Sequence, residues 1–161
     1  MTLRAEDLPR TAEAATRITV AERTGSTNAD LVRDHAADPA GWPHLSVLVT
    51  DDQTEGRGRL GRVWTAPPGT ALAVSVVLDL EELRPADRGW VPLIAGAALT
   101  RTIAAQVAGR LGDTHTVRMK WPNDVLVDGR KISGILAEAV PGVSGAVVVG
   151  AGVNTAMTDQ Q

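Results

Sequence analysis

The sequence predicts a mixed α/β (α+β) domain, and three observations carry that prediction. Short β-rich segments recur along the chain, two stretches show a helical pattern between them, and the last third is a run of strands joined by tight turns. A chain of 161 residues is one domain of ordinary size, and folding at that length buries roughly 70% of the unfolded surface.

Taken in order, residues 1–16 are polar and Ala-rich without a clear period, and are expected to form a flexible N-terminal tail or a frayed helix. Residues 17–22 read as a short strand with Ile18 and Val20 on one face. Ser26-Thr27-Asn28 precedes a helical pattern that runs to about Ala37, with Thr27 and Asp30 at capping-box spacing. After a loop over 38–43, residues 45–49 form a buried strand that leads to Asp51, Asp52 and Gln53. Residues 71–80 alternate and are β-rich. Residues 90–110 make the strongest helical segment, Ala-rich, with Leu93, Ala97, Thr100 and Ala104 on one face. Three short strands are predicted over 117–121, 124–127 and 131–139. Asp128-Gly129 marks the hairpin between the last two, because both central residues of such a turn want positive φ. Pro141-Gly142 turns the chain into a strand over 146–149, which runs into Gly150-Ala151-Gly152-Val153-Asn154, where Gly150 and Gly152 would permit a bend at the strand end.

Composition narrows the function classes. Sixteen Lys+Arg against 19 Asp+Glu leave a formal charge of -3, a poor footprint for a phosphate backbone, so no DNA partner is expected. No uninterrupted apolar run reaches the roughly 18–20 residues that span a bilayer, so no membrane partner is expected. Residues 1–10 hold Glu6 and Asp7 and no apolar core, unlike a signal peptide. The absence of cysteine rules out disulfides and thiolate metal sites and fits a cytoplasmic location. With no Phe and no Tyr, the core must be aliphatic. Of the four tryptophans, Trp90 is expected to fill core at a helix start, whereas Trp64 and Trp121 adjoin loops where an indole can stack on a base or wall a pocket. His35, His44 and His115 are scattered without ligand spacing, and no carboxylate cage is visible, so no protein-bound metal is expected.

The chemistry concentrates in Gly56-Arg57-Gly58-Arg59-Leu60-Gly61-Arg62, three arginines and three glycines in seven residues. Glycine lets backbone approach a ligand closely, and the arginine fork matches phosphate and carboxylate oxygens. Gly56, Gly58 and Gly61 also spell G-x-G-x-x-G, but the dinucleotide motif needs a helix opening within the glycine run. Here Trp64-Thr65-Ala66-Pro67-Pro68-Gly69 follows, which cannot open one. Lys120-Trp121-Pro122-Asn123-Asp124 adds a point charge beside a rigid turn.

These motifs, in this order, resemble the catalytic domain of the biotin–protein ligases. The resemblance rests on Ser26-Thr27-Asn28, Gln53, the glycine–arginine run with Trp64, Lys120-Trp121-Pro122-Asn123-Asp124, Lys131-Ile132-Ser133-Gly134-Ile135-Leu136 and Gly150-Ala151-Gly152-Val153-Asn154. It implies a class II aminoacyl-tRNA synthetase-like fold, a mixed sheet flanked by helices, over residues 17–161. It also implies a two-step reaction. Biotin's carboxylate attacks the α-phosphorus of ATP, with Mg2+ as the nucleotide's partner, to give biotinyl-5′-adenylate and pyrophosphate. A lysine on the biotin carboxyl carrier domain of acetyl-CoA carboxylase or a related carboxylase then takes the biotin.

By the same resemblance, Lys120, Arg59 and Arg62 are the catalytic cations. Ser26, Thr27, Asn28, Gln53, Arg57, Gly58 and Gly134, with Arg59 and Lys120, hold biotin. Gly56, Trp64, Asn123, Lys131 and Asn154, with Arg59 and Arg62, hold ATP or the adenylate. Read from the residues alone, Ser26 or Thr27 can instead cap the helix, and Asn123 and Asp124 can be turn residues. The chain departs from the family at Leu60, where many relatives carry Arg, and no helix-turn-helix segment precedes the catalytic part, so repression is not expected. Family members also continue past the Gly150-to-Asn154 motif into more catalytic domain and a small β-barrel-like domain. Residues 17–161 therefore read as a catalytic domain lacking its C-terminal part, better at binding or activating biotin than at transferring it. Two alternatives stand beside this reading: a lipoate–protein ligase-like adenylating enzyme, and a truncated non-catalytic biotin-binding remnant.

Overall fold

A computed structural model of the chain describes residues 3–112 and 114–156. A 3-10 turn at Ala5–Asp7 and a helix α1, Pro9–Ala14, open the described part, and neither contributes a buried residue. Strand β1 (Arg17–Val20), helix α2 (Thr27–Ala37) and strand β2 (Ser46–Thr50) follow. Next come β3 (Gly56–Arg57), β4 (Val63–Trp64) and β5 (Ala71–Asp79). Helix α3 (Val91–Leu111) precedes β6 (Val117–Lys120), β7 (Asp124–Val127), β8 (Arg130–Ala139) and β9 (Ala146–Asn154).

Seven strands form one sheet in the order β1-β2-β5-β9-β8-β7-β6, while β3 and β4 pair as a separate short hairpin. β1 and β2 run parallel and every other neighbouring pair in the sheet is antiparallel, so the mixed-sheet expectation holds. Successive strand residues point to opposite faces. The register pairs Val77 with Val148 and Val76 with Val149, which puts those two pairs on opposite sides. On one side Val77, Val148 and Leu48 pack with Leu31 of α2. On the other, Val147, Val149, Val125 and Ile135 pack with Val91 and Ile103 of α3. The helices thus sandwich the sheet, and the buried hydrophobic residues are aliphatic throughout, as the composition requires.

Four local expectations change. The cap of α2 is Ser26, whose Oγ accepts from the Ala29 N–H at 3.4 Å. Thr27 is the first helical residue, and Asp30 engages the Thr24 hydroxyl and Arg33 instead of closing a capping box. The packed face of α3 is Val91, Ala95, Leu99, Ile103 and Val107, not the row through Ala97, which is exposed. Alanine is apolar on every side of this helix, so its pattern gives the sequence reading little direction. Trp90, at the end of the Pro85–Trp90 turn before α3, is 60% exposed rather than in the core. Finally, β9 runs unbroken through Gly150 and Gly152 to Asn154, and neither glycine has positive φ. They do not bend the strand. The stretch Pro85–Leu111 is also long and apolar enough, by length and mean hydropathy, to cross a membrane, although the sequence shows no uninterrupted run. One face of it is packed on the sheet.

The hairpin prediction is met. Asp128 has φ 49° and Gly129 φ 81°, the left-handed pair such a turn demands.

Candidate functional site

Helix α2 covers only part of its face of the sheet. Beyond its N-terminus lies a cleft of about 430 Å³, walled by the N-terminal residues of α2, the β3–β4 hairpin, the Trp121-to-Asp124 turn, β8 and β9. Twelve of the predicted site residues line it: Ser26, Thr27, Asn28, Gln53, Arg57, Gly58, Arg59, Arg62, Trp64, Asn123, Lys131 and Gly134.

At the α2 end the side chains that line the cleft are polar and neutral, with the Glu138 carboxylate behind them. Gln53 Oε1 accepts from the Thr27 backbone N–H at 2.9 Å and stands 3.1 Å from the Thr27 hydroxyl. The Thr27 hydroxyl lies 2.8 Å from Ser75 Oγ, which lies 2.7 Å from Asn28 Oδ1. The Asn28 amide donates to Glu138 Oε2 at 2.8 Å and to the Leu136 carbonyl at 3.2 Å. Thr27, Asn28 and Ser75 are all buried, so water does not compete for these groups. Gly150 makes room for this cluster: a Cβ there would collide with Asn28 Oδ1 and come within 3.1 Å of Ser75 Oγ.

The opposite end is charged. Lys131 Nζ meets Asp124 Oδ1 at 2.7 Å, and the bare backbone of Gly134 lets the lysine lie along β8, where a Cβ would sit 3.1 Å from Nζ. Asn123 clamps its turn onto β8: its amide donates to the Ile135 carbonyl at 2.9 Å and its own carbonyl accepts from the Ile135 N–H. That is the turn-holding role left open in the sequence. Trp121, 76% exposed, stands at the rim.

The β3–β4 hairpin carries the three arginines on a defined frame. Gly56 pairs with Trp64 and Arg57 with Val63, and the tip is a single 3-10 turn, Arg59–Gly61, with Leu60 at φ 57° and Gly61 at φ 72°. No long helix opens here, which agrees with rejecting the dinucleotide motif. Trp64 anchors the hairpin by lying against Gly152, where a Cβ would come 2.7 Å from its ring. Arg57, Arg59 and Arg62 are exposed and enter no ion pair among the described residues, so three guanidinium groups face the cleft uncompensated.

Three predicted residues stand outside the lining. Gly56 is buried behind it, where a Cβ would meet Gln53 Nε2 at 2.5 Å. Lys120 is exposed at the end of β6, across from Asp124. Asn154 ends β9 opposite Ala71. The sequence reading missed Ser75 and Glu138. The one available signal was a serine interrupting an apolar strand, since Ser75 sits fully buried between Val74 and Val76. No histidine approaches the site: His35 bonds the Trp42 carbonyl, His44 accepts from the Asp79 N–H, and His115 pairs with Asp128. Among the described residues no group of three or more His, Cys, Asp or Glu could hold a metal.

The chain as a whole resembles known proteins. The family described as "Biotin/lipoate A/B protein ligase family" matches residues 20–154. The biotin–[acetyl-CoA-carboxylase] ligase of Mycobacterium tuberculosis is 37% identical over 145 residues, which is 90% of this chain and 52% of that protein. The chain therefore spans about half the length of this curated relative. The biotin protein ligase of Leishmania major, solved with biotinyl-5-AMP, superposes with a TM-score of 0.73 at 31% identity, over 91% of this chain and 60% of that one. The enzyme from Aquifex aeolicus, solved with biotin and ATP, gives 0.68 at 26% identity, over 91% and 55% of the two chains.

Proposed function

The chain belongs to the biotin/lipoate A/B protein ligase family, and on that premise we propose that it carries the biotin-activating site of a biotin–protein ligase. The observation that carries the proposal is the polarity of one cleft: a neutral hydrogen-bonding floor at Thr27 and Gln53, and unpaired arginines with Lys131 around the rest. Such a cleft suits a ligand with a neutral polar ring at one end and anionic groups at the other. Biotin joined to the α-phosphate of ATP has that pattern.

The chemistry asks for nothing the cleft lacks. A carboxylate of pKa near about 4 is ionised at neutral pH, so its attack on the α-phosphorus needs no general base. The carboxylate oxygen–phosphorus bond forms, the bond to the pyrophosphate oxygen breaks, and pyrophosphate leaves with its electron pair. The barrier lies in bringing anions together, and each preorganised cation can lower it by roughly 3–4 kcal/mol. Arg59, Arg62 and Lys131 line the cleft for that role, with Arg57 and Gly58 on the biotin side. Lys120, at the end of β6 next to the rim residue Trp121, would join them. Trp64, packed on Gly152, shields the adenine end. Magnesium arrives as the partner of ATP.

In the whole protein, transfer would follow to a lysine of a carboxylase carrier domain, in the cytoplasm. The lipoate-ligase reading has less support, since the ring of lipoate offers nothing for the Thr27–Gln53 floor to bind. Calorimetric titration with biotin and with lipoate checks this: biotin alone should bind, and equal affinity for the two acids would overturn the assignment.

A further inference from the structure

We infer that Glu138 is a positioning residue that sets the direction of the hydrogen-bond chain beneath the cleft, so that the Thr27 hydroxyl presents an acceptor and selects a ligand bearing an N–H. The inference rests on the biotin reading above and goes further, because it assigns a specificity role to residues outside the ligand-contacting set.

The argument is a count of protons. The Asn28 amide has two, and both go to groups that can only accept: Glu138 Oε2 at 2.8 Å and the Leu136 carbonyl at 3.2 Å. Its orientation is therefore fixed and its Oδ1 must face Ser75. Oδ1 carries no proton, so across the 2.7 Å contact Ser75 donates. A serine hydroxyl has one proton. Toward Thr27, 2.8 Å away, Ser75 can then only accept, and the single Thr27 proton goes to this contact because it is shorter than the 3.1 Å one to Gln53 Oε1. This leaves Thr27 Oγ1 and Gln53 Oε1 standing 3.1 Å apart with no proton between them. Gln53 cannot turn its amide to supply one, because its Oε1 is already held by the Thr27 backbone N–H at 2.9 Å.

Three oxygen–oxygen contacts thus share two hydroxyl protons, and the shortfall falls on the pair that lines the cleft. Two facing acceptors in a buried setting are unfavourable until a donor enters. A ligand N–H placed there satisfies both at once. The ureido ring of biotin carries such a group and a dithiolane ring does not. Remove Glu138 and only the longer 3.2 Å contact to the Leu136 carbonyl holds the Asn28 amide, which can reverse at the cost of that one bond. Its Nδ2 can then donate to Ser75, the Ser75 proton passes toward Thr27, and the Thr27 proton turns to the cleft. Gly150 guards the same arrangement, since a side chain there would push Asn28 aside.

The test is to titrate the full chain with biotin and with an analogue in which oxygen replaces the ureido N–H. The unaltered chain should prefer biotin by about 100-fold, because the analogue adds a third acceptor to two already facing each other. In Glu138→Ala that preference should fall below about tenfold, since the hydroxyl can now donate. Glu138→Gln keeps an oxygen for the Asn28 amide and should retain it. Ser75→Ala, which removes the acceptor of the Thr27 proton, should lose the preference as Glu138→Ala does. A merely structural role would weaken both ligands together and leave the ratio alone. The inference is overturned if the ratio survives Glu138→Ala or Ser75→Ala, or if Glu138→Gln loses it as fully as Glu138→Ala. If the unaltered chain binds neither compound, the biotin reading itself fails and this inference falls with it. Tight biotin binding with an unmoved ratio sinks the inference alone.

Discussion

Trp64 lies across Gly152 so closely that a Cβ on the glycine would come 2.7 Å from two atoms of the indole ring. This contact joins the arginine-bearing hairpin to the central strand β9. It explains why a glycine occupies the middle of a strand, where it otherwise weakens pairing.

Gly152→Ala should therefore displace Trp64 and the hairpin rather than unfold the sheet. The expected loss is about 1–3 kcal/mol of stability, the usual range for overpacking, read by thermal melting. ATP affinity should fall with it, because the tip carrying Arg59 and Arg62 moves.

Arg59 and Arg62 have the opposite signature. Both are exposed and unpaired among the described residues, so replacing either with Ala should change stability by less than about 0.5 kcal/mol. Adenylate formation should drop by about 100-fold or more, as when one preorganised charge partner is removed from a transition state. Unimpaired turnover in either variant would remove that arginine from the mechanism.

Lys120→Ala checks a residue outside the cleft lining, at the end of β6. It should reduce adenylate formation with the melting temperature unchanged, since the side chain is exposed and has no partner among the described residues. Lys131→Ala differs, because it strands the Asp124 carboxylate that Lys131 holds at 2.7 Å. Lys131→Ala/Asp124→Asn should bind ATP better than Lys131→Ala alone.

Stability at acid pH has a local marker away from the site. The carboxyl of Asp128 is held below its ordinary value by the His115 hydrogen bond and the Thr116 N–H. A depressed carboxyl stabilises the fold above its unfolded pKa, and that share is lost as pH falls through the folded value. Asp128→Asn keeps a residue suited to the positive φ of the turn. It should lower the melting temperature at neutral pH and narrow the gap from the parent chain below about pH 4.

Much of this was legible in the sequence because the motifs are backbone-driven. Asp128-Gly129 marked its turn through φ alone, and Ser26-Thr27-Asn28, Gln53 and the arginines at 57, 59 and 62 all line one cleft. What stayed hidden depends on contacts between distant strands. Ser75 and Glu138 meet Asn28 only because β5, β9 and β8 lie side by side, and although a serine in an apolar strand stands out, nothing local names its partner. Gly150 and Gly152 suggested a bend for the same reason: the Asn28 and Trp64 side chains that need the space lie far away in sequence. The α3 face was misjudged because alanine on all sides offers no direction.

The central claim is that these residues form a biotin-activating site. Exchange of labelled pyrophosphate into ATP, run on the purified chain with magnesium and with biotin, lipoate or neither acid, tests it most directly. The account predicts exchange with biotin alone, lost in Arg59→Ala. Exchange driven equally by lipoate, or none with biotin under conditions where biotin is bound, would contradict it.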